Sequence, residues 1–206
     1  MKKIIYILAK KLSIITVILL FSNIMFACSN SQKDQPQEVE IYKNNDLGWE
    51  MPIASGWEKM SDEKINRMIN RGKSALEKST DTEVENIDAT KHLLSLEKGL
   101  NNFISNITKQ TEEEFQENLD ILKEVMYKTY LDNGFNIEVI ENPDVDIDGV
   151  KFKNVTYKLS FDDKKFEQNY YFAYHRGYFF NVAWTTYEDA AKKEIENAFK
   201  ASKFLK

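Results

Sequence analysis

The chain has 206 residues, of which 42% are hydrophobic and 13% are aromatic. This apolar content is enough for a packed core and excludes a wholly disordered chain, while seven glycines, three prolines and one cysteine exclude collagen-like and disulfide-framework proteins. The net charge of −5 comes from 28 basic and 33 acidic residues. Because basic residues are not in excess, the chain has no net positive charge to bind a phosphate backbone, and nucleic acid is not expected as a partner.

The N-terminal 28 residues have the layout of a secretory signal. Four lysines lie within the first 11 residues, and an uncharged apolar run extends from Leu12 to Ala27. The run is 16 residues long, whereas a helix needs roughly 20 to span a membrane. The pattern therefore favours a signal peptide over residues 1–27 that is removed, and a permanent transmembrane anchor is the second choice.

Cys28, the single cysteine of the chain, directly follows Ala27. This junction resembles the lipobox of bacterial lipoproteins, with Met25 and Phe26 where that motif usually has leucine and a smaller residue. The resemblance implies that the Cys28 thiol receives a diacylglyceryl group, that cleavage makes Cys28 the first residue, and that acyl chains such as palmitate hold the protein on a membrane. The alternative is a secreted protein with an incidental Cys28. Because an unpaired thiol is an oxidation liability outside the cell, lipidation is the favoured interpretation.

The composition divides the rest of the chain into a tether and one domain. Residues 28–38 contain no large apolar side chain and read as a lipidated cysteine followed by a flexible tether. Residues 39–206 have the size of one domain and contain no internal repeat. Removing residues 1–27 takes away four lysines and no acid, which leaves 24 basic against 33 acidic residues, a net charge of −9. Anionic lipid repels such a body, so membrane attachment is expected to rest on the lipid alone.

Apolar spacing predicts three helices. Ser61 is the expected cap of the first, whose inward positions are Ile65, Met68, Ile69, Gly72 and Leu76. Thr111 and Glu114 form a capping box for the second, whose inward positions are Phe115, Leu119, Leu122, Met126 and Tyr130, with Gly134 as its stop. Thr186 and Asp189 are expected to begin the third, with Ala191, Ile195, Ala198 and Phe199 aligned.

Alternating apolar residues predict strands between these helices. The expected strands begin at Val39 and Trp49, and a hairpin of residues 92–97 and 102–109 turns at Gly99. A further strand covers Phe135 to Val139. Three more strands then follow, separated by turns at residues 162–164 and 176–177. In each of these strands four apolar or aromatic residues share one face: Val155, Tyr157, Leu159 and Phe161 in the first; Phe166, Tyr170, Phe172 and Tyr174 in the second; Tyr178, Phe180, Val182 and Trp184 in the third. The C-terminal third therefore reads as an antiparallel meander closed by a helix, and the fold class as α+β.

The order of elements resembles that of the PsbP-like group, which includes bacterial DcrB-like lipoproteins. Three short segments carry the resemblance: residues 47–57 with their Gly-Trp pairs, the tyrosine-rich hairpin around Arg176-Gly177, and the ending at residues 198–204. The resemblance implies a curved antiparallel sheet with helices on both faces, an α/β/α sandwich used for binding rather than catalysis. It implies no shared site residues. The segment 79–91 is longer than the link that the group usually has.

The residues that carry chemistry form no strong motif. His92 and His175 both fall in predicted strands, where a hydrogen-bonded structural role is usual, and a four-ligand cysteine and histidine zinc site cannot be assembled. Residues 144–149 match the first half of an EF-hand loop, so Asp144, Asp146 and Asp148 are weak calcium candidates. However, position 12 of that loop is Val155, and Asp148-Gly149 favours a simple turn. No cofactor and no metal are expected.

Aromatic residues are dense between Phe166 and Trp184, where nine occur. One face of this ribbon must enter the core. Tyr171 and Phe179 point to the opposite face, so that face must also be shielded from water. A second helical layer would supply the cover; if it did not, the exposed rings would be a partner surface. We expect cover, and we expect Trp49, Trp57 and Trp184 to be structural.

These features predict a lipid-anchored module of the cell envelope that binds or assembles with an unidentified envelope protein and has no catalytic activity. Two alternatives are an envelope hydrolase with an unrecognised carboxylate site and a carrier of a small apolar ligand. The residue after Cys28 is Ser29, not the aspartate that marks inner-membrane retention in lipoproteins of two-membrane bacteria. In such a host, the expected location is the outer membrane, facing the periplasm.

Overall fold

The structure is a computed structural model that describes residues 40–80 and 90–205. It contains three helices and ten strands within these residues. The helices are α1 (Asp62–Thr80), α2 (Glu112–Asp132) and α3 (Asp189–Lys200). The strands are β1 (Ile41–Asn44), β2 (Trp49–Pro52), β3 (Glu58–Lys59), β4 (Thr90–Lys98), β5 (Asn101–Lys109), β6 (Asn136–Ile147), β7 (Val150–Phe161), β8 (Lys164–His175), β9 (Tyr178–Thr186) and β10 (Lys203–Phe204).

Seven strands form one antiparallel sheet in the order β3-β4-β5-β9-β8-β7-β6. The meander from β6 to β9 is confirmed, and so are the hairpin turning at Gly99 and the turns at residues 162–163 and 176–177. Pairing of β9 with β5 brings the N-terminal hairpin beside the meander. The sheet stays open, with β3 and β6 at its two edges.

Helices α1 and α2 cover one face of this sheet, here called the two-helix face. The capping box of α2 is confirmed: the Glu114 N–H donates to Thr111 Oγ1 at 3.2 Å, and the Thr111 N–H donates to Glu114 Oε2 at 2.7 Å. Gly134 ends the helix with a φ of 84°, while the Phe135 N–H bonds back to Tyr130 O at 3.1 Å. The five predicted inward residues of α2 are all buried.

Helix α3 and a small second sheet cover the opposite face, here called the α3 face. The small sheet has the order β1-β2-β10, so the first and last strands of the described chain flank Trp49–Pro52. Buried residues from both sheets and α3 form the core of this face, among them Trp49, Phe103, Phe152, Trp184 and Phe199. The predicted α+β class, a large antiparallel sheet flanked by helices, is therefore confirmed.

The predicted start of the third helix is confirmed for Asp189, the first residue of α3, and wrong for Thr186. Thr186 does not begin α3; it ends β9, where it is paired with Glu167 of β8. The N-cap is Glu188, which makes no side-chain capping bond. The strand ladder extends the meander to Thr186, so pairing with β8 outweighs the local capping preference of a threonine.

Several sequence predictions fall outside the described residues. These are the signal peptide over residues 1–27, Cys28, the tether and Val39; most of the segment 79–91 also lies outside. Within the part of the chain that the structure describes, no helix is both long enough and apolar enough to cross a bilayer.

Candidate functional site

The three calcium candidates are separated by their own contacts. Asp144 lies in β6, where its carboxylate contacts Lys153 Nζ at 2.8 Å, and Asp146 Oδ1 accepts the Gly149 N–H at 2.9 Å. Asp148 lies in the turn with a φ of 52°, and its Oδ2 accepts the Phe204 N–H at 2.8 Å. Among the described residues, no three histidine, cysteine or acidic side chains are grouped as a metal site. The chain does reverse at Asp148-Gly149, and Asp148 connects that turn to β10.

Both histidines make hydrogen bonds within the fold. His92 Nδ1 contacts Asn106 Oδ1 at 3.1 Å across the β4–β5 hairpin, and burial lowers the pKa of His92. His175 Nε2 contacts Leu47 O at 3.1 Å, and burial lowers the pKa of its ring as well. Because Leu47 O is an acceptor, this contact requires the proton to be on Nε2. Each histidine therefore joins neighbouring segments of the chain.

Both faces of the aromatic ribbon are covered. Tyr171 and Phe179, the two rings in question, are 3% and 6% exposed. Tyr171 packs beneath α3, with its ring centroid 4.9 Å from that of Trp184 and 5.2 Å from that of Phe199. Phe179 packs against Phe115 of α2 at 5.7 Å. The expected helical cover is confirmed for Tyr171 and Phe179, so these two rings belong to the core.

The three tryptophans are buried, as expected. The Nε1–H of Trp49 donates to Ser202 Oγ at 3.0 Å, and that of Trp57 donates to Glu194 Oε2 of α3 at 3.2 Å. Trp184 packs beneath α3, but its Nε1 finds no partner within the described residues.

An open groove of about 550 Å³ lies on the α3 face, at the end of the sheet where β6 begins. Strands β6, β7 and β8 and the N-terminal turn of α3 all contribute to its walls. Most of its lining residues are polar or charged, and polar and apolar atoms contribute about equally to its surface: Asn136, Ile137, Glu138, Lys158, Leu159, Ser160, Lys165, Phe166, Glu167, Thr186, Tyr187, Glu188, Asp189 and Lys192. An open groove with charged side chains suits a segment of a partner better than it would enclose an apolar small molecule.

Two ion pairs cross the groove between neighbouring elements. Lys158 Nζ lies 3.4 Å from Glu138 Oε1, and Lys192 of α3 pairs with Glu167 of β8. The charges without an ion-pair partner in the described chain are two acids at the start of α3, Glu188 and Asp189, and one base, Lys165. The unpaired charge of the groove is therefore slightly negative.

Strand β6 forms the outer border of this groove and is an edge strand. It pairs with β7 on one side, and no strand of residues 40–80 or 90–205 pairs with its other side. Its register shifts between Asn142 and Val145, next to Pro143, and both a bulge and a proline interrupt strand pairing. The regular free edge is thus limited to residues 136–142.

A row of partly exposed apolar side chains borders the other side of the same edge. Val139 faces the two-helix face, paired with the buried Tyr157, and is 39% exposed. Lys123 Nζ of α2 contacts Glu141 of β6 at 3.1 Å. Tyr127 and Leu131 follow Lys123 at intervals of four residues, so they lie on the same side of the helix, along the same border. Tyr127 and Leu131 are 45% and 54% exposed. We call Tyr127, Leu131 and Val139 the border patch.

Sequence reasoning identified the strand at Phe135–Val139 but not this site. The strand is longer than predicted, and only the strand order shows that β6 is an edge. The signal that could have found it is Pro143 within an alternating strand, because proline in a strand is usually confined to edges and bulges.

Comparisons with known proteins identify the fold. No protein-family model and no curated protein match the chain. Among solved structures, it is similar to cyanobacterial PsbP (CyanoP) from Synechocystis sp. PCC 6803, with 13% identity, a TM-score of 0.55, and coverage of 86% of this chain and 98% of that one. A protein from Bacteroides thetaiotaomicron is 10% identical with a TM-score of 0.46, over 82% of this chain and half of that one. Protein PA94 of unknown function from Pseudomonas aeruginosa is 14% identical with a TM-score of 0.30, over 80% and 92% of the two chains. The likeness to CyanoP identifies the described domain as PsbP-like in fold.

Proposed function

We propose that this protein is a lipid-anchored module of the cell envelope that binds another envelope protein and performs no catalysis. The observation that carries the proposal is the free edge of β6, with the charged groove on one side and the border patch on the other. Open strand edges and partly exposed apolar residues are typical of protein-binding surfaces. The lipobox-like junction at Cys28 supports a membrane anchor.

The packing of the interior supports surface binding over carriage of an apolar ligand. The core of the α3 face is filled by contacting rings, with centroid distances such as 5.3 Å between Phe152 and Phe199 and 5.0 Å between Trp49 and Phe180. In the groove, Glu138 and Glu167 each contact a lysine from a neighbouring element. This pairing of carboxylates with lysines supports a binding role over a pair of acids set for hydrolysis.

The proposed function is tested by capture from native membranes. The full lipidated chain, carrying a C-terminal affinity tag, is crosslinked in intact cells, solubilised in mild detergent and recovered. We expect one envelope protein to be enriched reproducibly over a control lipoprotein that carries the same tag. Equal recovery of all proteins by the two baits would contradict a binding role.

The lipid anchor gives a separate prediction. Replacing Cys28 with alanine removes the acylation site, so we expect palmitate incorporation to be lost and the protein to leave the membrane fraction while staying folded. Radiolabelled palmitate and membrane fractionation measure this, and persistent labelling of the variant would refute the anchor. In a two-membrane host, the wild-type domain is expected to resist protease on whole cells until the outer membrane is permeabilised.

A further inference from the structure

The outer edge of β6 offers a strand-pairing site for another polypeptide. Over residues 136–142, the backbone N–H and C=O groups that point away from β7 have no strand partner in the described chain. Such a row of groups is a template for strand addition. We propose that an extended segment of a partner protein pairs with residues 136–142 as an eighth strand of the sheet. This inference rests on the proposed binding function and names the surface and the chemistry of its partner.

The two sides of the edge fix the pattern of side chains in that segment. Successive side chains of a strand point to opposite faces. On the two-helix face, an added strand would pass the border patch, where Val139, Tyr127 and Leu131 are each at least 39% exposed. On the α3 face, it would pass the groove beside Glu138. The segment should therefore alternate, with apolar residues toward the border patch and polar residues toward the groove.

The charge of the edge indicates that those polar residues are basic. β6 carries four acids and no base: Glu138, Glu141, Asp144 and Asp146. The first three contact lysines of neighbouring elements, so the excess negative charge beside the edge is small. The groove adds Glu188 and Asp189, against the single unpaired base Lys165. Lysine or arginine on the groove side of the segment would meet this negative charge, and an acidic segment would be repelled.

The same charges disfavour a second copy of this chain as the occupant. Pairing of two β6 edges would bring Glu138 and Glu141 of one copy alongside the same acids of the other, and like charges on paired strands are destabilising. Pro143 and the register shift also stop regular pairing after Asn142, which leaves a window of seven residues. The acids of β6, Pro143 and the register shift therefore favour a basic strand of another protein over a second copy of this chain.

A defined peptide panel tests the proposal on the full chain in mild detergent. The probes are three fluorescein-labelled heptapeptides: one that alternates valine and lysine, one of the same composition with its valines and lysines in two blocks, and one that alternates valine and glutamate. Fluorescence anisotropy measures affinity, and hydrogen exchange locates the bound peptide. We expect the alternating valine–lysine peptide to bind at least tenfold more tightly than the other two and to slow amide exchange within residues 136–142.

Variants on the edge separate strand pairing from simple charge attraction. Val139→Lys places a cation in the border patch and should weaken binding of the alternating peptide at least tenfold, whereas Val139→Thr should change it less than threefold. Glu117→Lys makes a larger charge change at an exposed position of α2 and should also have little effect. Circular dichroism checks that each variant is folded.

Several results would overturn the inference: no binding by the alternating peptide, equal binding by the block peptide, protection of amides away from β6, or equal weakening by Glu117→Lys. These outcomes are distinct from failure of the proposed function. If membrane capture recovers a partner and Val139→Lys captures it equally well, the module binds by another surface and only the β6 site is wrong. If capture recovers nothing, the binding function itself fails.

Discussion

Replacing Trp184 with alanine is expected to lower the free energy of unfolding by about 3–5 kcal/mol, a large share of the roughly 5–15 kcal/mol that stabilises a domain. The side chain is 1% exposed and packs among Phe103, Tyr171 and Phe199, with centroid distances of 4.9 to 6.3 Å. Truncation would leave a cavity beneath α3 that these rings cannot close. Urea denaturation followed by circular dichroism gives the measurement.

Trp184→Phe is the matched control. It keeps an aromatic ring in the site and removes the Nε1–H, which has no hydrogen-bond partner among the described residues. Its cost should therefore be well below that of alanine. An alanine variant with an unchanged urea midpoint would refute the structural role assigned to Trp184.

The second large effect is expected from Gly48→Ala, at about 2–5 kcal/mol. Gly48 has a φ of 61°, which costs a residue with a side chain about 1–2 kcal/mol. A Cβ at this position would also lie 2.7 Å from Leu205 O and from Arg176 Nη1. Overpacking of this kind adds about 1–3 kcal/mol. The strain would fall on the C-terminal segment, because the Leu205 N–H donates to Gly48 O at 2.8 Å and Arg176 also bonds to Leu205 O.

Gly99→Ala isolates the steric part of that loss. Gly99 has nearly the same φ, 60°, but a Cβ there would have nothing within 4 Å. The difference between the two variants in urea denaturation should therefore report the clash with Leu205 and Arg176 alone. Equal losses would mean that the C-terminal segment moves aside without cost, contrary to this account.

The parts of the fold that depend on local chemistry could be predicted from the sequence. The capping box at Thr111 and Glu114 works because both residues lie within one helical turn, and Gly99, Gly134 and Asp148-Gly149 each mark a change of direction within their own few residues. The alternating rings of the meander likewise indicate which residues share one face of the sheet. Each of these features depends only on residues that are close in sequence.

The rest depended on pairing between distant segments. Strands β3 and β10 have two residues each, which is too short for a periodic signal. They form because β3 pairs with Leu96–Glu97 of β4 and β10 pairs with Trp49–Glu50 of β2. Thr186 looked like a helix cap until its pairing with Glu167 placed it in β9. The candidate site was missed for the same reason, since whether β6 is central or at an edge follows from strand order and not from its own residues.

The small sheet joins strands that are synthesised far apart in time. β2 is completed by β10, about 150 residues later, and β5 pairs with β9 across some 75 residues of intervening chain. A nascent chain that lacks residues 203–204 cannot complete the layer over Trp49 and Phe180. This layer therefore cannot be finished until about 150 residues after Trp49 have been synthesised.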